Sequence, residues 1–335
     1  MAWIAEIKKL LKRDFIYRLE NQFETKNVEK ILKWFEKKSL TTIRVNINKI
    51  SIQDVMSILR EKWCQFERAS DLPYTLILKN KKENFVQELD LYDKWRIYMQ
   101  NIASQLPPHF LNPKKWDKIL DVSAAPWSKT TQISMLTNWD SEIIANDIDE
   151  IRVEKLKYNV KKQWFTNIEV LNKNWATLWW IYEWQFDKIL LDAPCSAEWR
   201  INLNNPKTYK FWAEKNIAKN KKVQKQLFKS AFKALKNWWE MIYSTCTLAP
   251  EENEEIVTWA LEKYEWELFL EKIWDENFRR NFEKNLIPVL KNFFPDWEKF
   301  LDSEKKFFPG IEKFCLKACP WEISEWFFIA KFKKK

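Results

Sequence analysis

The sequence predicts an α/β fold: a mostly parallel sheet with helices on both faces, preceded by a smaller α+β unit. Three observations predict it. From about residue 118 onward, short apolar runs alternate with helical stretches, as in strand–helix units that bury a parallel sheet. The stretch from Asp121 to Ser134 joins a strand end, a tight turn and a helix start, which is what a nucleotide-type cofactor site needs. Before residue 93 the order is different, with helical patterns and separate strands.

Taken in order, residues from about 3 to 38 alternate apolar and charged groups at helical spacing. Thr42–Ile47 reads as a strand. Ser51–Arg60 reads as a helix with Ser51 as N-cap and Asp54 in its first turn. Tyr74–Leu78 is a second strand, and the α+β unit ends near residue 93. Trp95–Leu106 reads as a helical lead-in that Pro107-Pro108 breaks. The strands of the main sheet are Ile119–Val122, Glu142–Ala145, Ile168–Leu171, Lys188–Leu191 and Met241–Tyr243, with a late strand at Phe327–Phe332. Lys215–Lys236 is a helical stretch dense in lysine, and Lys333-Lys334-Lys335 reads as a solvated end. The division expected is 1–93 and 94–335. Ligands of such sheets sit at the carboxyl ends of the strands.

The turns lack the residue they need. The 335-residue chain has 1 Gly and 22 Trp, where an ordinary protein of this length carries about 23 Gly. Trp127 stands in the cofactor-type turn, where close backbone approach and φ > 0 call for glycine. Trp116, Trp139, Trp164 and Trp238 also occupy turn or helix-end positions. The reading is that the gene comes from a lineage in which UGA encodes glycine, and that it was translated with a table in which UGA encodes tryptophan. The alternative, a chain truly rich in tryptophan, would not empty the turns of glycine. Trp212 and Trp259 lie in helical patterns and are expected to be real.

The bulk numbers bound the class. Charged residues at 31% and a net charge of +10 suit a chain that meets a polyanion, most simply nucleic acid. A lysine-rich proteome would give the same charge without that meaning. No apolar run approaches the roughly 20 residues of a membrane span, and residues 1–6 lack the features of a signal peptide. The expected location is the cytoplasm, and monomer is the default state. Five Cys do not form a disulfide framework in such a chain. Cys315 and Cys319, four apart, could share a helix face, but nothing completes a zinc site and no metal is expected. The single His, His109, reads as structural, so a general base must be a carboxylate, a lysine or a thiolate.

Chemistry-bearing residues gather at strand ends. After the first turn comes Ala145-Asn146-Asp147-Ile148-Asp149, with Arg152 following. An acid at this distance suits a ribose diol. Asn172-Lys173-Asn174-Trp175 ends the next strand. Asp192-Ala193-Pro194-Cys195-Ser196 and Tyr243-Ser244-Thr245-Cys246-Thr247 place two cysteines on the same sheet edge. One cysteine there would be an ordinary packed thiol. Two, with an Asp and a Lys nearby, point to covalent catalysis.

On these residues the chain resembles the RsmB/Sun family of RNA (cytosine-5) methyltransferases, its RsmF-like members in particular. Asp192–Ser196 is similar to one cysteine motif. Ser244–Thr247 with Pro250-Glu251-Glu252-Asn253-Glu254 is similar to the other. Ala124–Thr130 resembles the first cofactor motif with Trp for Gly. Arg44-Val45-Asn46 resembles the N-terminal signature, and Glu325–Ala330 the last strand. The resemblance implies a class I (Rossmann-like) methyltransferase domain after a smaller RNA-binding domain, S-adenosylmethionine as cofactor, and rRNA or tRNA as partner. It places Ser123, Ala124, Ala125, Pro126, Trp127, Ser128 and Lys129 on the cofactor, with Asp147 at the ribose and Asn174 before the adenine pocket. The family's usual residue at the last position is Asp, so altered affinity is expected there. It further implies Cys246 as nucleophile, Cys195 as the thiol that assists product release, and Asp192 with Lys129 on the cytosine edge. A thiolate is needed near neutral pH, and Lys129 and the cofactor sulfonium could favour it. Exchange of the two cysteine roles stays open. The rival from another class is a catalytically inactive RNA-binding relative in which the Trp residues are real.

Overall fold

The computed structural model describes residues 2–36, 40–69, 72–177, 179–273, 314–318 and 326–335. Three helices open the chain: α1 (Ala2–Leu10), α2 (Arg13–Gln22) and α3 (Thr25–Trp34). Then come β1 (Thr42–Val45), α4 (Ile52–Glu61), β2 (Phe66–Arg68), β3 (Thr75–Leu78), α5 (Glu83–Gln87), α6 (Asp90–Asp93) and β4 (Ile97–Met99). Ser51 caps α4 as its sequence predicts, its hydroxyl accepting the Asp54 N–H. The four strands form an antiparallel sheet in the order β2-β3-β1-β4.

Next is α7 (Ile102–Leu111), where the expected lead-in proves to be strand β4 followed by a helix that continues through Pro107 and Pro108. The prolines are tolerated because neighbours take up what they release. Pro108 cannot donate to the Ser104 carbonyl, which accepts from Gln100 Nε2 at 3.2 Å instead. The remaining elements are β5 (Lys118–Asp121), α8 (Ser128–Leu136), β6 (Glu142–Asn146), α9 (Glu150–Lys162), β7 (Ile168–Leu171), β8 (Phe186–Asp192), α10 (Glu214–Ala234), β9 (Leu235–Thr245), α11 (Glu254–Lys263), β10 (Leu268–Glu271), β11 (Leu316–Ala318) and β12 (Phe327–Lys334).

These strands build one sheet in the order β10-β12-β9-β8-β5-β6-β7, with β11 also on β12. The strands from β9 to β7 run parallel, and β12 enters antiparallel between β9 and β10. This is the Rossmann-like α/β fold. Alternate residues face opposite layers. Ile119, Ile143 and Leu190 pack with α7, α8 and α9 residues such as Leu106, Ile133 and Leu156. Leu120, Ile189 and Tyr243 pack with Phe228 and Phe232 of α10 and Val257 of α11. The chain leaves β5 toward β6 and β7, then returns to place β8 and β9 on the other side. The reversal opens a crevice at the carboxyl ends of β5 and β8. Two further pieces flank that edge. Helices α1–α3 pack against Ile201, Trp212, Ile217 and Leu248, and Arg18 bonds Glu214 and Glu251. The small sheet reaches in through Arg44.

Among the described residues, twelve non-glycine residues adopt positive φ, and nine of them are Trp: 63, 95, 116, 127, 139, 164, 184, 238 and 266. Most cap helix ends. At Trp164, for example, the next N–H, that of Phe165, reaches back to the Val160 carbonyl. Trp63, Trp116 and Trp164 each hold their indoles more than four-fifths exposed. Trp238 does not lie in a loop between helix and strand, as expected, because β9 starts directly at Leu235. It sits where β9 slips register against β8, and there its φ is positive. Trp212 is not helical either. It is buried against Phe15, and its Nε1 donates to Glu198. Trp259 lies in α11 as expected. Cys315 leads into strand β11 rather than a helix, while Cys319 and Glu325 lie outside the described residues.

Candidate active site

Five strand ends converge at the crevice. After β5, the Trp127 N–H donates to the Ala124 carbonyl at 2.7 Å and closes the turn. Trp127 is then the N-cap of α8 with φ 94°. The turn is braced from both sides. Asp147, nearly inaccessible at the end of β6, accepts the Ala125 N–H at 3.2 Å and lies 3.4 Å from Arg152. Arg152 also bonds the Ala125 carbonyl. On the other side, the buried Arg44 guanidinium donates to the Ser128 carbonyl at 2.8 Å and to the Thr131 hydroxyl at 2.9 Å. Burial lowers Arg44 to about 10, which still leaves it charged at neutral pH. Asn146 ties the ends of β5 and β7 together, donating to the Val122 and Lys173 carbonyls. Asn174 is exposed, and its carbonyl accepts from Thr177.

The chemistry lies on the β8–β9 side. Lys129, in the first turn of α8, meets Asp192 at 2.6 Å. The Ser244 hydroxyl donates to the other Asp192 oxygen at 2.9 Å. Asp192 and Ser244 are register partners on adjacent parallel strands, so the residues that follow them leave side by side. Cys195 and Cys246 therefore meet, Sγ to Sγ, at 3.1 Å. Lys129, Asp192, Cys195 and Cys246 are thus brought together, while Asp147 and the turn form the neighbouring half of the crevice.

Burial and the Lys129–Asp192 pair set the electrostatics of the thiols. Cys246 is pushed well above the ordinary thiol range by its hydrogen bond to Cys195, by burial and by the Asp192 charge, with Lys129 opposing. Lys129 is held above its usual value. Burial alone would lower it, and the Asp192 carboxylate outweighs that. Lys129 thus acts on Cys246 in the direction that favours the thiolate, and the Asp192 charge beside it acts in the opposite direction. Burial also lowers His109, whose ring meets Phe110 edge-on in α7.

Sequence reasoning passed over three groups. Asp121, at the end of β5, accepts from the Thr130 hydroxyl at 2.7 Å, and burial pushes it up to about 7. Its Oδ1 is buried with no partner among the described residues. Glu198 and Glu252 lie beneath the cysteines. Their partners are 50 and 56 residues away in sequence; Glu252 lies inside the Pro250–Glu254 motif, but nothing local marks its partner, and Glu198 lies in no motif.

Residues 108–333 match the family described as 16S rRNA methyltransferase RsmB/F. A tRNA (cytosine(49)-C(5))-methyltransferase of Pyrococcus abyssi is 32% identical over 267 residues, covering 78% of this chain and 82% of that protein. The ribosomal RNA small subunit methyltransferase F of Vibrio campbellii is 32% identical over 241 residues, 69% of this chain. The chain matches about half the length of that relative, 48%. Among solved structures, a methyltransferase homolog protein from Pyrococcus horikoshii superposes with a TM-score of 0.78 at 24% identity, covering 99% of this chain and 98% of that one. NSun6 from Pyrococcus horikoshii, solved with SFG, does so with a TM-score of 0.78 at 22% identity, over 98% of this chain and 99% of that one. These two show the fold.

Proposed function

The chain belongs to the RsmB/F family of methyltransferases, and from that premise we propose that it methylates C5 of a cytidine in rRNA or tRNA with S-adenosylmethionine. The observation that carries the reading is the pair of thiols 3.1 Å apart beside the Lys129–Asp192 pair, at the switch point of the sheet. Cytosine C5 is too weak a nucleophile to take a methyl group unaided. A thiolate that adds to C6 turns C5 into an enamine carbon, which is nucleophilic. Cys246 forms that Sγ–C6 bond. Asp192 holds the N3/N4 edge of the base with Lys129. After the transfer C5 loses its proton, the Sγ–C6 bond breaks, and Cys195 assists this release. A paired target must first leave its stack to reach the thiols.

The residues at the crevice fit the cofactor. S-adenosylmethionine, when bound, supplies an electrophilic methyl sulfonium. Ser123–Lys129 and Asp192 would hold its methionine and nucleoside side, Asp147 its ribose, and Asn174 the approach to the adenine. The orphaned Asp121 Oδ1 is an acceptor waiting for a donor at this edge. The fit holds with glycine at 127, and we assign glycine in the natural protein to the Trp positions of positive φ. Supporting this, a left-handed residue other than glycine costs about 1–2 kcal/mol, and exposed indoles recover none of it through packing. Residues 1–93 are assigned to RNA recognition and 94–335 to catalysis. Lys215, Lys219, Lys222 and Lys229 stand exposed along α10 and suit a phosphate track.

The test uses the full chain with methyl-labelled S-adenosylmethionine and either tRNA or small-subunit rRNA, read by nucleoside mass spectrometry. Wild type should form 5-methylcytidine and Cys246→Ala none. Cys195→Ala should accumulate a covalent RNA–protein complex. Normal turnover by Cys246→Ala would refute the nucleophile, and clean turnover by Cys195→Ala would refute the release role.

A further inference from the structure

Beneath the two cysteines lies a second pair of acids, Glu198 and Glu252, both almost fully buried. Glu252 follows Cys246 in sequence, yet its Oε2 accepts the N–H of Ser196 at 2.9 Å and its hydroxyl at 3.1 Å. Ser196 is the residue after Cys195. Glu198 follows Cys195, yet its Oε2 accepts the Thr247 hydroxyl and the Leu248 N–H, the latter at 2.9 Å. Thr247 is the residue after Cys246. Each cysteine loop therefore lends a carboxylate that grips the residue next to the other loop's cysteine. The Ser196 and Thr247 hydroxyl oxygens lie 2.7 Å apart between the two carboxylates.

The outer oxygens are held as well. Asn220 of α10 donates to Glu252 Oε1 at 3.0 Å, and Trp212 to Glu198 Oε1 at 3.0 Å. The Tyr243 hydroxyl takes the Glu252 carbonyl at 2.6 Å, and Asn253 Nδ2 the Thr247 carbonyl at 3.0 Å. Among the described residues neither carboxylate forms an ion pair. Burying two uncompensated acids side by side costs stability, and an apolar pair of similar size would avoid that cost. Such an arrangement is expected where geometry matters more than stability.

We propose that Glu198 and Glu252 are positioning residues: a reciprocal carboxylate clamp that fixes the separation of the Cys195 and Cys246 thiols. Neither touches the reacting base. The clamp rests on the methyltransferase reading for its purpose, but its geometry can be measured without turnover. A thiol displaced by about 1 Å can cost on the order of a hundredfold in rate, and sulfurs at 3.1 Å leave little slack.

The experiment compares Glu252→Ala, Glu252→Gln, Glu198→Ala and the milder Ser196→Ala in the full chain. Three quantities are read: kcat and KM on RNA, affinity for S-adenosylmethionine, and the rate at which diamide joins Cys195 to Cys246. The alanine variants should lose about 10–100-fold in kcat. Their KM and cofactor affinity should stay within about twofold, and their disulfide should close more slowly. Glu252→Gln keeps an oxygen for the Ser196 N–H and should restore most of the rate. Unchanged kcat and diamide rate in the alanine variants would overturn the clamp. So would glutamine as damaging as alanine, or a loss confined to cofactor affinity. Should the glutamate-to-alanine chains fail to fold, Ser196→Ala decides by the same readouts. Should wild type make no 5-methylcytidine, the methyltransferase reading falls, and the diamide rates alone still decide the clamp.

Discussion

The residue at 127 and the thiol at 246 show how far side-chain identity and side-chain state govern this site. Cys246 is held as a thiol by Cys195 and by burial. At pH 7.5 iodoacetamide should therefore label it more slowly than a free thiol, since a raised pKa leaves less thiolate. The rate should keep rising past pH 9, and fast labelling at neutral pH would contradict the assignment. Asp121 offers a second test. Its folded value of about 7 lies above the ordinary 3.8, so folding favours its protonated form. That contribution is fully present below about pH 4 and is lost as pH rises through 7. Asparagine at this position has nothing to lose. Asp121→Asn should gain in Tm over wild type between pH 5 and pH 8, and a difference independent of pH would refute the buried neutral acid.

At the level of elements, the inner parallel strands β5, β6 and β8 were legible because they are buried on both faces and read as apolar runs. β5, β6, β7 and β8 fall within two or three residues of the expected spans. The short edge strands β4 and β10 were not legible. β4 and β10 are three and four residues long and carry no alternation of their own, so only their partners define them. α7 was hidden by its prolines, because the Gln100 side chain that satisfies Ser104 is a tertiary contact. The active-site motifs were legible because Asp192 and Cys195, or Ser244 and Cys246, lie within three residues of each other. The carboxylate clamp was not, because each of its bonds crosses between loops about fifty residues apart. α10 carries the prediction at this scale. Lys215, Lys219 and Lys222 follow helical i, i+4, i+7 spacing and are exposed, whereas Lys221 pairs with Glu255 and Lys225 lies over Trp259. The triple change of Lys215, Lys219 and Lys222 to Glu should weaken RNA binding at least about tenfold. It should also flatten the salt dependence by about 0.7 per lost contact, with cofactor affinity unchanged. Unchanged RNA binding would make this an ordinary solvated face.

Across the whole molecule, three bodies meet at one sheet edge. The helices α1–α3 close on the cysteine side through Arg18, and the small sheet braces the cofactor turn through Arg44. No helix among the described residues is long and apolar enough to cross a membrane. Nine left-handed Trp positions are spread over all of this, at helix ends, a bulge and the cofactor turn itself. Whether this edge is a working cofactor site depends on the residue at 127. The most direct measurement is the mass of the tryptic peptide from Ile119 to Lys129, taken from the protein made by its own host. The expected mass is that of glycine at 127, with an open turn and an active methyltransferase. A mass that fits tryptophan would leave an indole in the turn. It would contradict the catalytic reading and leave only an RNA-binding relative of the family.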